Sequence, residues 1–347
     1  MANTESPLCV RCTALPSTHM IRNERLCTDC FLKYISTKVI KRMEAARVRG
    51  SYDEKPRRLL LALSGGSSSV SLLHILDAHI SGQVKKSARP RYELLVVHVK
   101  LEGGQEVDIE RLRRRFPRHV FEVVLPEQSN VALSTSKAET KIPLQSLTSP
   151  TSRADLASIT LRNTLLSHAS RRVCAGILIA QSTTSLAESI LSATAKGRGS
   201  SLPWLASDNE DPEASPYGVA VYYPMRDVLR KELLQFVRVS ALEDCIVQES
   251  EVRVGTVNSK DKTIDDLMRG YFASVEEGFP SVVANVVRTC GKLQPPIGME
   301  RWERCHLCKL PFEEEGNAGG ALDTRRAGED GGLGMCYGCR QSVISGA

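Results

Sequence analysis

The chain has 347 residues, with 41% hydrophobic and 25% charged residues, which are ordinary values for a folded globular protein of one or two domains. No apolar stretch approaches the ~18 residues that a membrane-spanning helix needs, and the N-terminus lacks the charged start and apolar middle of a signal peptide. We therefore expect a cytoplasmic protein without a membrane partner, in which the eleven cysteines serve metal binding or catalysis instead of a disulfide framework.

Residues 1–32, the first predicted domain, are dominated by cysteines. Two Cys-x-x-Cys pairs are separated by fourteen residues: Cys9 and Cys12, then Cys27 and Cys30. Two such pairs, brought together by a short loop, supply the four thiolates of a tetrahedral structural zinc site. The alternative is a set of redox-active or unpaired thiols. Because the segment has few apolar residues, zinc binding and folding should be one event.

Residues 33–56 are predicted to form a basic helix followed by a polar linker. Between residues 33 and 58, nine Lys or Arg residues accompany three Asp or Glu, a surplus equal to the net charge of +6 of the whole chain. Such clustering suits a polyanionic partner such as nucleic acid, while a solvated helix face would show the same pattern. The candidate RNA-binding residues are Lys33, Lys38, Lys41, Arg42, Arg47 and Arg49.

Residues 57–250 alternate strand-like and helix-like segments. The predicted strands, apolar throughout, lie at 59–64, 92–99, 120–126, 173–180 and 219–224. The predicted helices lie at 69–80, 106–116, 153–171, 184–195 and 227–240. This alternation indicates an α/β fold with a doubly wound parallel sheet, to which small zinc modules are attached at both termini. The polar segments 127–152 and 197–216 are expected to be flexible insertions.

A loop of small residues follows the first predicted strand. It comprises Ser64, Gly65, Gly66, Ser67, Ser68 and Ser69, and a helical pattern begins at once. The backbone N–H groups of such a turn, with the dipole of the helix that they begin, can hold a phosphate or pyrophosphate. A tight strand-to-helix turn with serines that cap the helix is the alternative.

The C-terminus repeats the cysteine pattern of the N-terminus. A helical extension is predicted over 251–299, and a second zinc module over 300–347. Its candidate ligands are Cys305, Cys308, Cys336 and Cys339, and a glycine-rich segment that we expect to be mobile separates the two pairs. Four-cysteine sites are structural because they leave no coordination position open. His306 is either a spare ligand or a polar neighbour, and we favour the neighbour.

These motifs together resemble a known family. The loop is similar to that of the N-type ATP pyrophosphatases, which reads S-G-G-x-D-S and grips the pyrophosphate of ATP. The segments CTDCFLKYISTKVI, LLALSGGSSS, LIAQSTTSLAES and CHLCKLP…CYGC resemble the cytosolic tRNA 2-thiolation proteins over most of the chain. That family works as a heterodimer that places sulfur on the wobble uridine of tRNA. The resemblance therefore implies tRNA, a catalytic paralogue and a ubiquitin-related modifier that carries sulfur as partners.

The chain departs from the catalytic subunit of that pair at the acidic positions. Ser68 stands where the family has the Asp that helps to hold Mg²⁺, and a neutral hydroxyl is a poor ligand for a hard cation. The family segment G-H-N-A-D-D-x-A-E-T is matched by residues 180–189, which keep Ala187 and Glu188 but lose both Asp. ATP and Mg²⁺ are therefore doubtful cofactors, and two zinc ions are the expected ones.

The cysteine chemistry of the catalytic subunit is also incomplete. Residues 149–163, which match the region of the family's first sulfur-handling cysteine, contain none. Cys245 resembles the second, but a single thiol cannot form a disulfide-type intermediate with a missing partner. We predict that Cys245, like Cys174 in a strand and Cys290, is a buried structural cysteine.

The sequence thus favours a non-catalytic subunit with a relic nucleotide loop, which supports a catalytic paralogue and binds tRNA. Two alternatives stay open. One is an autonomous enzyme that adenylates tRNA with Mg²⁺ held by an unidentified carboxylate. The other is a zinc-stapled adaptor that binds proteins and no RNA.

Overall fold

The computed structural model describes residues 7–48, 56–87, 89–101, 103–104, 106–126, 130–135, 138–143, 147–209, 215–247, 262–295, 303–312 and 334–344. Across these ranges, no helix is both long and apolar enough to cross a membrane. Arg49 and most of the glycine-rich segment between the C-terminal cysteine pairs lie outside them.

The strands and helices follow one another in a βα order through the middle of the chain. The strands are β1 (His19–Ile21), β2 (Glu24–Leu26), β3 (Arg57–Ala62), β4 (Tyr92–Val99), β5 (Val120–Val124), β6 (Asn130–Thr135), β7 (Ala138–Pro143), β8 (Gly176–Ile179), β9 (Ala220–Tyr222), β10 (Glu303–Arg304) and β11 (Pro311–Phe312). The helices are α1 (Thr28–Val48), α2 (Ser67–Ser87), α3 (Ile109–Arg115), α4 (Pro150–Arg171), α5 (Thr183–Ala195), α6 (Leu202–Leu205), α7 (Arg230–Val239), α8 (Ile264–Gly278), α9 (Pro280–Cys290) and α10 (Tyr337–Ile344).

Five parallel strands form the central sheet in the order β5-β4-β3-β8-β9. The central strand β3 pairs with β4 on one side and β8 on the other, so the chain winds outward in both directions from it. Leu60 is aligned with Leu95 of β4 and with Ile177 of β8. The predicted doubly wound α/β fold is confirmed, and the topological switch between β3 and β8 is where such folds bind ligands.

Both faces of the sheet are covered, which explains why its strands are apolar throughout. Leu59 and Leu61 of β3 belong to a core that α1, α2 and α7 complete. Leu60, which points to the opposite face, belongs to a second core with α4, α5, α8 and α9. The first core also contains Cys9 and Cys27, so the N-terminal cysteine module packs directly on the α/β domain.

The structure differs from the sequence predictions at three segments. Helix α1 begins at Thr28, before the expected start at residue 33, because the second cysteine pair forms its first turn. Within the segment 127–152, expected to be a flexible insertion, residues 130–135 and 138–143 form the antiparallel strand pair β6–β7. The segment 197–216, also expected to be flexible, contains α6, whose Trp204 is only 3% exposed and packs on the C-terminal cysteines.

Candidate metal centres and phosphate loop

The loop after β3 is held in a shape that only glycine permits at its centre. Gly65 has φ +80, and a Cβ atom there would lie 2.6 Å from Cγ2 of Val107 and 2.9 Å from Cγ2 of Val247. The backbone N–H of Val247 also donates to the carbonyl oxygen of Gly65 at 2.9 Å. Two valines from distant parts of the chain therefore cover the loop on one side.

The polar groups of the loop pair with one another. The hydroxyls of Ser64 and Ser69 are 3.1 Å apart, and Ser69 Oγ also donates to the carbonyl oxygen of Gly66 at 3.1 Å. The backbone N–H of Gly66 donates to Ser64 Oγ at 3.4 Å. Ser67 and Ser68 are half-buried at the start of α2. The turn is of the kind that cradles an anion, and the Ser64 hydroxyl accepts from one of its backbone N–H groups, that of Gly66.

The segment after β8 uses its hydroxyls to hold helices. Thr184 and Ser185 are the two residues that the resemblance aligns with the Asp pair of the catalytic subunit. Thr184 Oγ1 donates to Oε2 of the buried Glu276 at 3.0 Å, while Ser185 Oγ lies 3.0 Å from the Oγ of Ser182, the N-cap of α5. Glu188, which the chain keeps, accepts from Nη2 of Arg230 at 3.0 Å. These side chains serve packing and capping.

A cavity of about 600 Å³ lies beside the loop, at the carboxyl edge of the sheet. Ser64, His98 and Gln181 line it where β3, β4 and β8 end, and Arg162 of α4 lines its side. Its wall next to the C-terminal module includes Cys308. Sequence reasoning missed Arg162 and His98 as site residues, because they come from separate elements and no local motif marks them. The space and the lining would admit a small organic ligand.

The four N-terminal cysteines converge. Their Sγ atoms all lie within 4.8 Å of one another, and those of Cys12 and Cys27 are 3.7 Å apart. Burial disfavours the thiolate of Cys9, but hydrogen bonds from the backbone of Cys12 and Cys27 outweigh it and lower its pKa to about 6. Hydrogen bonding to Cys27, together with burial, raises the pKa of Cys30 to about 12. A metal cation bound by the four sulfurs would displace their protons.

The four C-terminal cysteines converge in the same way and are all buried. The Sγ atoms of Cys308 and Cys336 are 3.9 Å apart. Hydrogen bonds from the other three thiols lower the pKa of Cys305 far below its ordinary value. His306 is exposed and stands outside the cluster, and its backbone N–H donates to the carbonyl oxygen of Gly334 at 2.8 Å.

The sulfur spacing discriminates between kinds of metal site. A tetrahedral ion with metal–sulfur distances of about 2.3 Å places its ligand sulfurs about 3.8 Å apart. The Cys12–Cys27 pair at 3.7 Å and the Cys308–Cys336 pair at 3.9 Å match that edge, and all sulfurs of a cluster lie within 4.8 Å of one another. In a four-iron cluster each cysteine binds a different iron at a corner of a cube, which holds the sulfurs farther apart. Each cluster therefore fits a single ion.

The remaining cysteines lie away from both clusters. Cys174 is buried two residues before β8 begins, not within the strand as predicted, and burial raises its pKa to about 11. Burial also raises the pKa of Cys245, in the short turn after α7. Cys290, at the end of α9, is half-buried and not fully buried as predicted. Raised pKa values keep these thiols protonated, which disfavours nucleophilic roles.

Helix α1 divides its cations between two faces. Lys33 and Lys41 are exposed. Lys38 and Arg42 reach the α/β domain instead: Lys38 Nζ donates to the carbonyl oxygen of Asp227 at 3.0 Å, and Arg42 Nε donates to Oδ2 of Asp227 at 2.6 Å. Arg47 lies on the last turn of the helix, with its side chain outside the described part.

Comparisons with known proteins point to one family. The family model described as "Cytoplasmic tRNA 2-thiolation protein 2" matches residues 263–327. A protein of that name from Phaeosphaeria nodorum is 38% identical over 368 residues, covering 97% of this chain and 95% of that protein. Another from Sclerotinia sclerotiorum is 41% identical over 306 residues, covering 80% of each chain. Among solved structures, the U34-tRNA thiolase NcsA from Methanococcus maripaludis with its 4Fe–4S cluster has the same fold, with a TM-score of 0.60 and 15% identity over 88% of this chain and 92% of that one.

Proposed function

The chain belongs to the cytoplasmic tRNA 2-thiolation protein 2 family, and from that membership we propose that it is a non-catalytic subunit of a tRNA 2-thiolation complex. In this role it supports a catalytic paralogue and contributes to binding of the tRNA whose wobble uridine receives sulfur. The names of its relatives include the word "cytoplasmic", and the cytoplasm is the proposed location.

The main support for the non-catalytic role comes from the residues at three positions that are acidic in the catalytic subunit. Thr184 and Ser185 align with the two Asp of the catalytic subunit. Their hydroxyls form hydrogen bonds with Glu276 and Ser182, respectively. Ser68 adds no charge to the loop. A hard cation such as Mg²⁺ prefers anionic oxygen, and these hydroxyls offer none. The loop residues 64–69 are thus proposed as a vestigial phosphate site that keeps its backbone shape.

Two structural zinc ions are the proposed metal content. The ligands are the two cysteine sets already described, and their sulfur spacing supports a single tetrahedral ion in each. When bound, such an ion supplies folding free energy and no open coordination position for chemistry. The two modules are proposed as units 1–32 and 300–347, attached to an α/β domain over 57–250 through segments 33–56 and 251–299.

Binding of tRNA is proposed to use the exposed side of α1. Lys33 and Lys41 lie there two turns apart. Arg47 and Arg49 follow toward the linker and are proposed to extend the same contact. Lys38 and Arg42 are committed to the α/β domain, and their proposed share in RNA binding is indirect, through the placement of the helix. Cationic side chains that release counterions from phosphates supply affinity without sequence selectivity.

The proposed partner is a paralogue of the same fold that keeps the S-G-G-x-D-S loop. It would activate the uridine with ATP and accept sulfur from a ubiquitin-related modifier. This chain's contribution would be orientation of the tRNA, which can account for much of a catalysed rate.

The test is reconstitution from purified full-length proteins. The chain alone should contain about two zinc ions by plasma emission analysis and should not turn over ATP. It should bind tRNA with an affinity that falls steeply with salt, and thiolation should require both this chain and the paralogue. Thiolation of tRNA by this chain unaided would contradict the proposal and favour the autonomous enzyme. Absence of tRNA binding by the chain and by the complex would favour the adaptor.

A further inference from the structure

Arg198 lies in the turn that follows α5, and its side chain is 5% exposed. Its Nη1 donates to Oδ1 of Asp155 at 2.8 Å, and its Nη2 lies 2.6 Å from Oδ2 of the same carboxylate. This fork-shaped pairing ties the α5 turn to α4. Lys196 lies 3.4 Å from Oδ1 of Asp155 and 2.6 Å from Oδ2 of Asp265 on α8. Two cations and two carboxylates thus join three helices.

The same guanidinium also reaches the C-terminal cysteine cluster. Nη2 of Arg198 donates to Sγ of Cys339 at 3.6 Å and to Oγ of Ser342 at 3.4 Å. Ser342 Oγ in turn donates to Oδ2 of Asp155 at 2.6 Å. Arg198 is therefore a direct hydrogen-bond donor to a ligand sulfur, and it is held in place by a carboxylate from a different helix.

Two glycines allow the cysteine pair to seat closely on this turn. Gly197 has φ +77, and a Cβ there would lie 2.6 Å from the ring of Tyr337. A Cβ on Gly338 would lie 2.5 Å from Cγ of Arg198 and 2.9 Å from the carbonyl oxygen of Lys196. The first turn of α10 and the turn after α5 are therefore in backbone-level contact. No larger residue would fit on either side without a shift.

The charges favour this arrangement when a metal ion is present. Four thiolates outweigh the charge of one divalent ion, and a buried net charge is costly unless an opposite charge lies near it. Arg198 supplies that charge at the Cys339 sulfur.

We infer that Arg198 is a positioning residue for the C-terminal metal site, which couples retention of the ion to the docking of α10 on the α/β domain. Cys308 and Leu310 form part of one wall of the 600 Å³ cavity, so an ion bound by these cysteines would also fix that wall. Hydrogen-bond partners outside the ligand set commonly change metal affinity by about tenfold to a hundredfold. The inference rests on the zinc occupancy proposed above.

The experiment measures zinc release from the full-length, zinc-loaded chain into excess chelator with a colorimetric indicator. Arg198→Met should release one of the two ions about tenfold to a hundredfold faster than the unmodified chain, with the other ion unaffected. Arg226→Met is the matched control, because Arg226 is 7% exposed and its Nη2 donates to the carbonyl oxygen of Ala206, with no hydrogen bond to a cysteine among the described residues. The control should release both ions at the unmodified rate.

Arg198→Lys covers the case in which the Met variant does not fold. Lysine keeps the charge but loses the fork, so release of one ion should still accelerate. With cobalt in place of zinc, the sulfur-to-metal absorption of one site should also shift in this variant. Unchanged release of both ions from folded Lys and Met variants overturns the inference and leaves the proposed function intact. An unmodified, folded chain that contains no metal overturns both the inference and the proposed zinc content, while the proposed subunit role is tested separately by the thiolation assay.

Discussion

Nε of Arg42 on α1 donates to Oδ2 of Asp227, just before α7, at 2.6 Å. Lys38, one turn earlier, donates to the backbone carbonyl oxygen of the same residue. Arg42 and Asp227 mutually stabilise their charged forms, so that the pKa of Asp227 is lowered despite its burial. Two of the predicted RNA-binding cations therefore anchor the helix, while Lys33 and Lys41 remain available to a partner.

Replacing the exposed pair should weaken RNA binding without destabilising the protein. In the double variant Lys33→Glu, Lys41→Glu, affinity for tRNA should fall. The negative slope of log K against log salt should become shallower by about 1 for each phosphate that the helix no longer neutralises. Filter binding over a series of salt concentrations measures both quantities. The melting temperature should stay unchanged because both side chains are exposed to solvent.

The matched control is Lys38→Ala with Arg42→Ala on the inner side of the same helix. It should lower the melting temperature, because it removes the hydrogen bonds to Asp227. The reverse pattern, with tRNA affinity insensitive to the outer pair at every salt concentration, would rule out this face of α1 as the RNA-binding surface.

The loop should depend on Gly65 for folding. Gly65→Ala should destabilise the protein by about 1–3 kcal/mol, because it combines a strained positive φ with contact between the new methyl group and two valines. Gly66→Ala is the control, since its Cβ would meet only Ser64 Oγ at 3.6 Å. Urea unfolding followed by circular dichroism gives both free energies. Equal effects of the two substitutions would contradict the role assigned to the valine cover.

Introducing one carboxylate into the loop should not give the chain ATP-hydrolysing activity. Ser68→Asp supplies a single anionic oxygen ligand, but Thr184 and Ser185 still offer none and remain bound within the protein. The purified variant should hydrolyse ATP no faster than the unmodified chain in an assay of released pyrophosphate and phosphate. Turnover that is abolished by adding Gly65→Ala would show that the loop retains catalytic capacity.

Local sequence patterns were sufficient for the sheet and for both cysteine clusters. Strands buried on both faces carry an apolar signal along their whole length, and a pair of cysteines with two residues between them marks a metal-binding turn. These features depend on neighbours in the chain, so the chain alone reveals them.

Long-range pairings could not be predicted in the same way. Arg198 and Cys339 are 141 residues apart and lie in segments with no shared motif. Which cations of α1 anchor the helix depends on the position of Asp227 in the folded protein. The composition of the helix does not reveal that position. The acidic Asp155 looks like an ordinary helix residue until α10 is packed against it. Interactions between segments that are far apart in the chain can be identified only when the fold is known.

Glu276 of α8 should stabilise the N-terminus of α7. Its Oε1 accepts from the backbone N–H of Lys231 at 3.0 Å, and its Oε2 accepts from Thr184 Oγ1 at 3.0 Å, in a site where Glu276 is 5% exposed. A carboxylate at a helix N-terminus interacts favourably with the unpaired N–H groups there. Glu276→Gln should therefore cost about 1–3 kcal/mol, because an amide replaces the charged acceptor of two hydrogen bonds. Urea unfolding measures this cost, and Glu277→Gln, at the exposed neighbouring position, should change the free energy by less than about 0.5 kcal/mol. If the two variants unfold at the same urea concentration, Glu276 does not stabilise α7, and its hydrogen bond from Thr184 has no structural role of this kind.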